Sequence, residues 1–180
     1  MYELMAMLTA QGCNLERVGG GGTLTPEMVA ASMTNLNQDA YLYGLYRFCA
    51  DQTVKDELLE RHYVDTVNLA LRGGWKLSKS EDTATLGRLS DFALEFSVKP
   101  SICLSCNGAG MLNNKGECPV CNGTGNGKDV SIRKIGARLK VTKHRAEFFW
   151  RDKLNILVGR HLQWEMDILD ALKKLTSDKK

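Results

Sequence analysis

Apolar residues recur at helical spacing along most of the chain. Val29, Met33, Leu36 and Ala40 fall three or four positions apart, just after Thr25-Pro26-Glu27. A hydroxyl cap, a proline at the first helical position and an acidic first turn together predict a helix start there. The pattern continues towards Cys49 in one or two pieces. A second helix is predicted from about Val54 to Leu71, carried by Leu58, Leu59, Val67, Ala70 and Leu71 and stopped by Gly73-Gly74. A third begins near Ser80, shows Leu86, Leu89, Phe92 and Phe96, and ends before Pro100. All three stripes are read as core. Upstream, residues 1–22 hold a weaker run, Leu4, Met5, Met7, Leu8 and Leu15, closed by Gly19-Gly20-Gly21-Gly22, which predicts a hinge.

Between Pro100 and Lys128 the periodicity vanishes and Gly, Asn and Cys take over, so something other than an apolar core must hold that segment. From Ser131 the helical pattern resumes with Ile132, Ile135, Leu139, Ala146 and Phe149, then Leu157, Leu162, Ile168, Leu169, Leu172 and Leu175. Ser177 to Lys180 read as a frayed end. No strand alternation stands out elsewhere, and the expected class is all-α with an inserted metal module. The implied segments are 1–22, a helical region 23–79, a helix within 80–100, the insert 101–128, a two-helix unit 129–153 and a C-terminal helix with its tail, 154–180.

Composition narrows the function classes. Of 180 residues, 43% are hydrophobic and 25% charged, an ordinary balance for a folded soluble protein. No stretch approaches the length of a membrane span, and Met1-Tyr2-Glu3 lacks a basic secretory start. A cytoplasmic protein without membrane association is expected. The net charge of +3 hides an asymmetry: residues 128–153 carry nine Lys and Arg against three Asp and Glu, +6, which leaves −3 for the rest. A basic segment on an acidic body is the distribution expected where one face meets phosphate.

The insert contains one unit twice. Cys103-Leu104-Ser105-Cys106-Asn107-Gly108-Ala109-Gly110 is followed, seven residues later, by Cys118-Pro119-Val120-Cys121-Asn122-Gly123-Thr124-Gly125. Two residues between thiolates let a tight turn present both sulfurs to one ion, and two such turns complete a tetrahedral shell suited to one structural Zn2+. Cys103, Cys106, Cys118 and Cys121 are the expected ligands. A pair of redox dithiols is the competing reading, but such a pair normally opens a helix after a strand. Cys13 and Cys49 are read as small buried hydrophobes. Lys115, between the two units, reads as a solvated tip. An open zinc site for hydrolysis or deamination has no support: there is no His-Glu-x-x-His, and His62, His144 and His161 are dispersed in sequence. The glycine run lacks a following Lys-Ser or Lys-Thr, so no phosphate-binding loop is expected.

The basic segment has the apolar frame of a helix-turn-helix. Ile135, Gly136, Leu139, Val141, Ala146 and Phe149 supply the inward positions, with Gly136 small at the crossing and Thr142 as N-cap of the second helix. Lys143, His144 and Glu147 then face outward where base edges are read. Arg133, Lys134, Arg138, Lys140, Thr142, Arg145 and Arg151 are placed as phosphate contacts. Lys140 occupies a turn position that often holds glycine. Phe148 and Trp150 are expected to pack against the following helix, and Trp75 and Trp164 to serve core or interface.

A helical N-terminal region, a doubled Cys-x-x-Cys-x-Gly-x-Gly unit, a helix-turn-helix and a C-terminal helix, in that order, resemble the late-gene antitermination protein Q family of lambdoid bacteriophages. The resemblance spans roughly Ser80 to Leu175 and rests on Cys103–Gly125 followed by Ile132–Trp150. It implies binding of double-stranded promoter DNA, loading onto paused bacterial RNA polymerase, contact with polymerase and its sigma factor, and read-through of terminators. It also implies that the helix at Ser80–Phe96 is the first of a three-helix DNA-binding unit. A repressor or activator using the same unit without antitermination is the alternative. The cysteine unit resembles the zinc region of the J-domain co-chaperones as well, but those carry more copies and a His-Pro-Asp tripeptide absent from this sequence.

Overall fold

The computed structural model describes residues 25–98, 111–112, 116–119 and 131–177, the side chains of 175–177 excepted. Residues 1–22 with their glycine run, Cys13, Cys103, Cys106, Lys115, Cys121 and Lys128 lie outside the described residues. The described chain is predominantly helical. Its helices are α1 (Pro26–Ser32), α2 (Gln38–Phe48), α3 (Lys55–Arg72), α4 (Thr83–Val98), α5 (Ile132–Leu139), a short α6 (Lys143–Arg145), a π-helical turn (Ala146–Trp150) and α7 (Arg151–Ser177). A hairpin of β1 (Met111–Leu112) and β2 (Gly116–Glu117) lies between α4 and α5 in sequence, antiparallel, with Met111 opposite Glu117 and Leu112 opposite Gly116. Among the described residues, no helix is long and apolar enough to cross a membrane.

Local chemistry accounts for most boundaries. The Thr25 hydroxyl accepts from the Met28 amide with Pro26 in the first turn, and Asn37 caps α2 by accepting from Ala40 at 2.9 Å. The helix pattern between Pro26 and Phe48 is therefore split in two, because Asn37 offers a second cap. Asp82 accepts from the Thr85 amide at the start of α4, and Ser131 from Lys134 at the start of α5.

The described residues divide into two compact units, one of those within 25–74 and 159–177 and the other of those within 75–158. The first unit packs α2 against α1 and α3 around Val29, Met33, Leu42, Tyr43 and Leu58, with Trp164, Ile168 and Leu172 of α7 also buried. Gly44 lies so close to the Met33 sulfur that a Cβ there would collide with it. Cys49 caps the end of α2 half-buried, its thiol 3.4 Å from the Pro26 carbonyl, and is not the fully buried hydrophobe expected. In the second unit α4 packs on α5, and α5 on the π-turn, burying Leu86, Leu89, Phe92, Ile135, Leu139, Ala146 and Trp150.

Helical structure runs unbroken from Lys143 to Ser177. The boundary expected between 153 and 154 therefore falls inside a helix. Nothing in Arg151-Asp152-Lys153-Leu154 supplies a stop, since helix breakers and C-terminal glycine are absent there.

Candidate nucleic-acid interface

α5 ends on a left-handed residue, Lys140 (φ 57°, ψ 44°), and the Val141 amide reaches back to the Gly136 carbonyl at 3.0 Å. The freed Leu139 carbonyl accepts from the Arg88 Nε of α4 at 3.2 Å. Thr142 then caps the next helix, its hydroxyl accepting from the Arg145 amide. Gly136 is buried at this crossing, where an added Cβ would stand 3.2 Å from the Val141 carbonyl oxygen and 3.7 Å from the Ala146 Cβ. A lysine with positive φ is strained by about 1 kcal/mol. Lys140→Gly should therefore raise the unfolding free energy by about that amount, measured by urea denaturation.

The two inward positions after Thr142 are Ala146 and Trp150, both fully buried, whereas Phe149 is only half-buried. This corrects the expected pairing of Ala146 with Phe149. The π-turn widens the helix by about one residue per turn, which moves the inward position on by one. Trp150 donates its indole Nε1–H to the Glu81 carboxylate at 2.7 Å.

Glu81 joins three partners. Its carboxylate, 2% exposed, is paired with Arg145 at 2.6 Å and also accepts from the Ser78 amide at 2.7 Å. Burial alone would raise the pKa of Glu81, but the hydrogen bonds from Arg145, the Ser78 backbone and Trp150 outweigh it and bring the value down to about 2. Arg145 further donates to the Lys76 carbonyl at 3.0 Å and lies 4.0 Å above the Phe149 ring. Arg145, expected as a phosphate contact, has its guanidinium paired with the buried Glu81 carboxylate while 30% of its side chain stays exposed. Lys153 sits between the Phe149 and Trp75 rings, at 5.3 and 5.2 Å.

The remaining expected contacts divide by exposure. Arg133, Lys134, Lys140, Thr142, Lys143, His144 and Arg151 are solvent-exposed, and Glu147 is half-buried. Arg138 is exposed too, but it is ion-paired with Glu95 of α4 and lies over the Phe92 ring. Phe148 is 68% exposed, not packed against α7, and its ring lies 4.7 Å from that of His144. The exposed face therefore carries an aromatic pair framed by cations, which the periodicity of apolar residues concealed by suggesting that every large apolar side chain turns inward.

In the hairpin, Cys118 alone among the six described residues is buried, at 0% exposure, while Met111, Gly116, Glu117 and Pro119 are exposed. Among the described residues no three His, Cys, Asp or Glu side chains converge as a ligand set, and three of the four expected ligands lie outside those residues.

The first unit holds a polar cluster that sequence separation hid. His62 of α3 and His161 of α7, expected to be dispersed, meet with their Nε2 atoms 2.8 Å apart, both buried. Tyr43 stacks on His161, and the Trp164 ring lies 5.1 Å from it. The Tyr43 phenol donates to the Glu165 carboxylate at 2.7 Å, Arg47 pairs with Glu165 and donates to the phenol oxygen, and Arg160 pairs with Asp65 at 2.5 Å. Burial, reinforced by nearby Arg160, depresses His62 to about 4; burial, His62 and the neighbouring arginines depress His161 as well. The signal was present as helical positions: His62 falls four after Leu58, and His161 four after Leu157, each on its helix's buried stripe.

No protein-family model, curated protein or solved structure matches the chain.

Proposed function

We propose that this protein is a DNA-binding transcription regulator of the phage late-gene antiterminator type, which binds promoter DNA, loads onto paused RNA polymerase and its sigma factor, and carries polymerase past terminators. The observation that carries the DNA-binding part is the row of exposed cations, Arg133, Lys134, Lys140, Lys143 and Arg151, on two helical segments joined through left-handed Lys140 and capped by Thr142. α5 and the α6–π segment form a helix-turn-helix in this reading: buried Ile135, Gly136, Leu139, Ala146 and Trp150 hold the pair together. Lys143 and His144 then face base edges while the other cations meet phosphates. The antitermination part rests on the order of the zinc unit and helix pair along the sequence.

Cys103, Cys106, Cys118 and Cys121 would hold one Zn2+, and burial of Cys118 suits that role. A four-thiolate shell leaves no position for substrate or water, so the metal supplies folding energy to the insert and no chemistry. No enzymatic activity is proposed.

Transcription on a template carrying a candidate late promoter and a downstream terminator tests this reading. Added protein containing one zinc per chain should raise terminator read-through, and Cys118→Ser should abolish the effect. DNA binding without read-through would make the protein a promoter repressor or activator. Failure to bind any promoter duplex would overturn the reading altogether.

A further inference from the structure

Phe148 stands out on the cationic face. It is 68% exposed, whereas Ala146 and Trp150, two residues to either side, are fully buried. What sets Phe148 apart from the other exposed apolar side chains, such as Leu71 and Met166, is its place among exposed cations, a surface that suits an occupant apolar at one point and anionic around it. Its neighbours fix the chemistry further. His144, one turn earlier, holds its ring 4.7 Å from that of Phe148, and exposed Lys143 and Arg151 flank the pair along the helix.

Phe148 can neither donate nor accept a hydrogen bond, so it cannot read the polar edge of a base. Among the four unmodified bases, only thymine presents an apolar group, its C5-methyl, in the major groove. The same groove is walled by phosphates that Lys143 and Arg151 can meet. We propose that Phe148 is a specificity-determining residue that packs on the methyl group of one thymine in the bound DNA site, with His144 hydrogen-bonding to the adjoining base. This inference rests on the DNA-binding reading above, and adds a contact that polarity-based reasoning passes over.

The Arg145–Glu81–Trp150 bracket ties down the helix on either side of Phe148. Arg145 is clamped three residues before it and Trp150 is clamped two residues after it, both to Glu81. Holding the backbone that carries Phe148 reduces the freedom lost on contact.

The test begins by selecting duplexes from a random-sequence pool with the full-length protein. Each thymine of a selected duplex is then replaced in turn by deoxyuridine, which removes only the methyl, and binding is followed by fluorescence anisotropy. One position should show about fourfold weaker binding, the burial of a single methyl group. At that position Phe148→Ala should bind the thymine and deoxyuridine duplexes equally, while Phe148→Leu, still apolar, should retain part of the preference. A thymine preference that Phe148→Ala leaves intact, or no deoxyuridine-sensitive position at all, overturns the inference while leaving DNA binding standing. Enrichment of no duplex from the pool overturns both.

Discussion

Glu81→Ala should destabilise the protein by about 3 kcal/mol, a loss comparable to truncating a buried core side chain. The alanine leaves the indole N–H of Trp150 unpaired in a site that excludes water, and releases the Ser78 amide and the Arg145 guanidinium. Arg145, with 30% of its side chain exposed, can turn to solvent, so the charge itself contributes less than a fully buried pair would. Glu81→Gln keeps the shape and most hydrogen-bonding capacity and should cost about 1 kcal/mol, the margin between charged and neutral hydrogen bonds. Urea unfolding monitored by circular dichroism measures both. A double-mutant cycle of Glu81→Gln with Arg145→Met should give a coupling of at least about 1 kcal/mol. Additive effects would show that the two side chains act independently.

The second large effect is a loss of stability in mild acid. The 2.8 Å contact between the Nε2 atoms of His62 and His161 needs one ring to donate and the other to accept, so at most one ring can be charged, and burial beside arginines keeps both neutral near pH 7. Asp39, Arg47, Asp65, Arg160, Glu165 and the Tyr43 phenol surround the pair from α2, α3 and α7, and the arginines oppose protonation. The unfolded chain takes up protons near the ordinary histidine value of 6.5, whereas His62 does so only near 4. Between those values the unfolded state binds more protons, and stability falls as pH falls. By pH 5 the expected loss is about 2 kcal/mol for each histidine, from 1.4 kcal/mol per pH unit. Urea midpoints at pH 7.5, 6.0 and 5.0 measure the slope. Replacing both rings by leucine should flatten that slope while leaving stability at pH 7.5 less affected than removal of either ring alone. A slope unchanged in the double variant would assign it to other groups.

Much of the fold was written in short-range signals. Thr25, Asn37 and Ser131 are cap residues followed by apolar residues at helical spacing, and each begins a helix. Thr142 and the left-handed turn at Lys140 were readable from the small and apolar frame at Gly136, Leu139 and Val141. Nothing in the local spacing indicated that Glu81 would reach Trp150 and Arg145, at a separation of more than 60 residues. Such contacts depend on how helices pack, which sequence spacing does not encode. The same holds for His62 and His161, 99 residues apart. Phe148 and Phe149 were misassigned for a different reason: the π-turn shifts the phase of the helix, and a fixed period of 3.6 residues cannot anticipate it.

The placement of the tryptophans gives the molecule its own optical reporters. Trp150 is sealed in the second unit with its N–H on a carboxylate, and Trp164 is buried in the first beside two imidazoles. Each indole senses one unit, so the emission of a Trp150→Phe protein follows the histidine cluster while that of a Trp164→Phe protein follows the Glu81 bracket, with half-exposed Trp75 as a shared background. Loss of one signal before the other would divide unfolding into two steps without any added label.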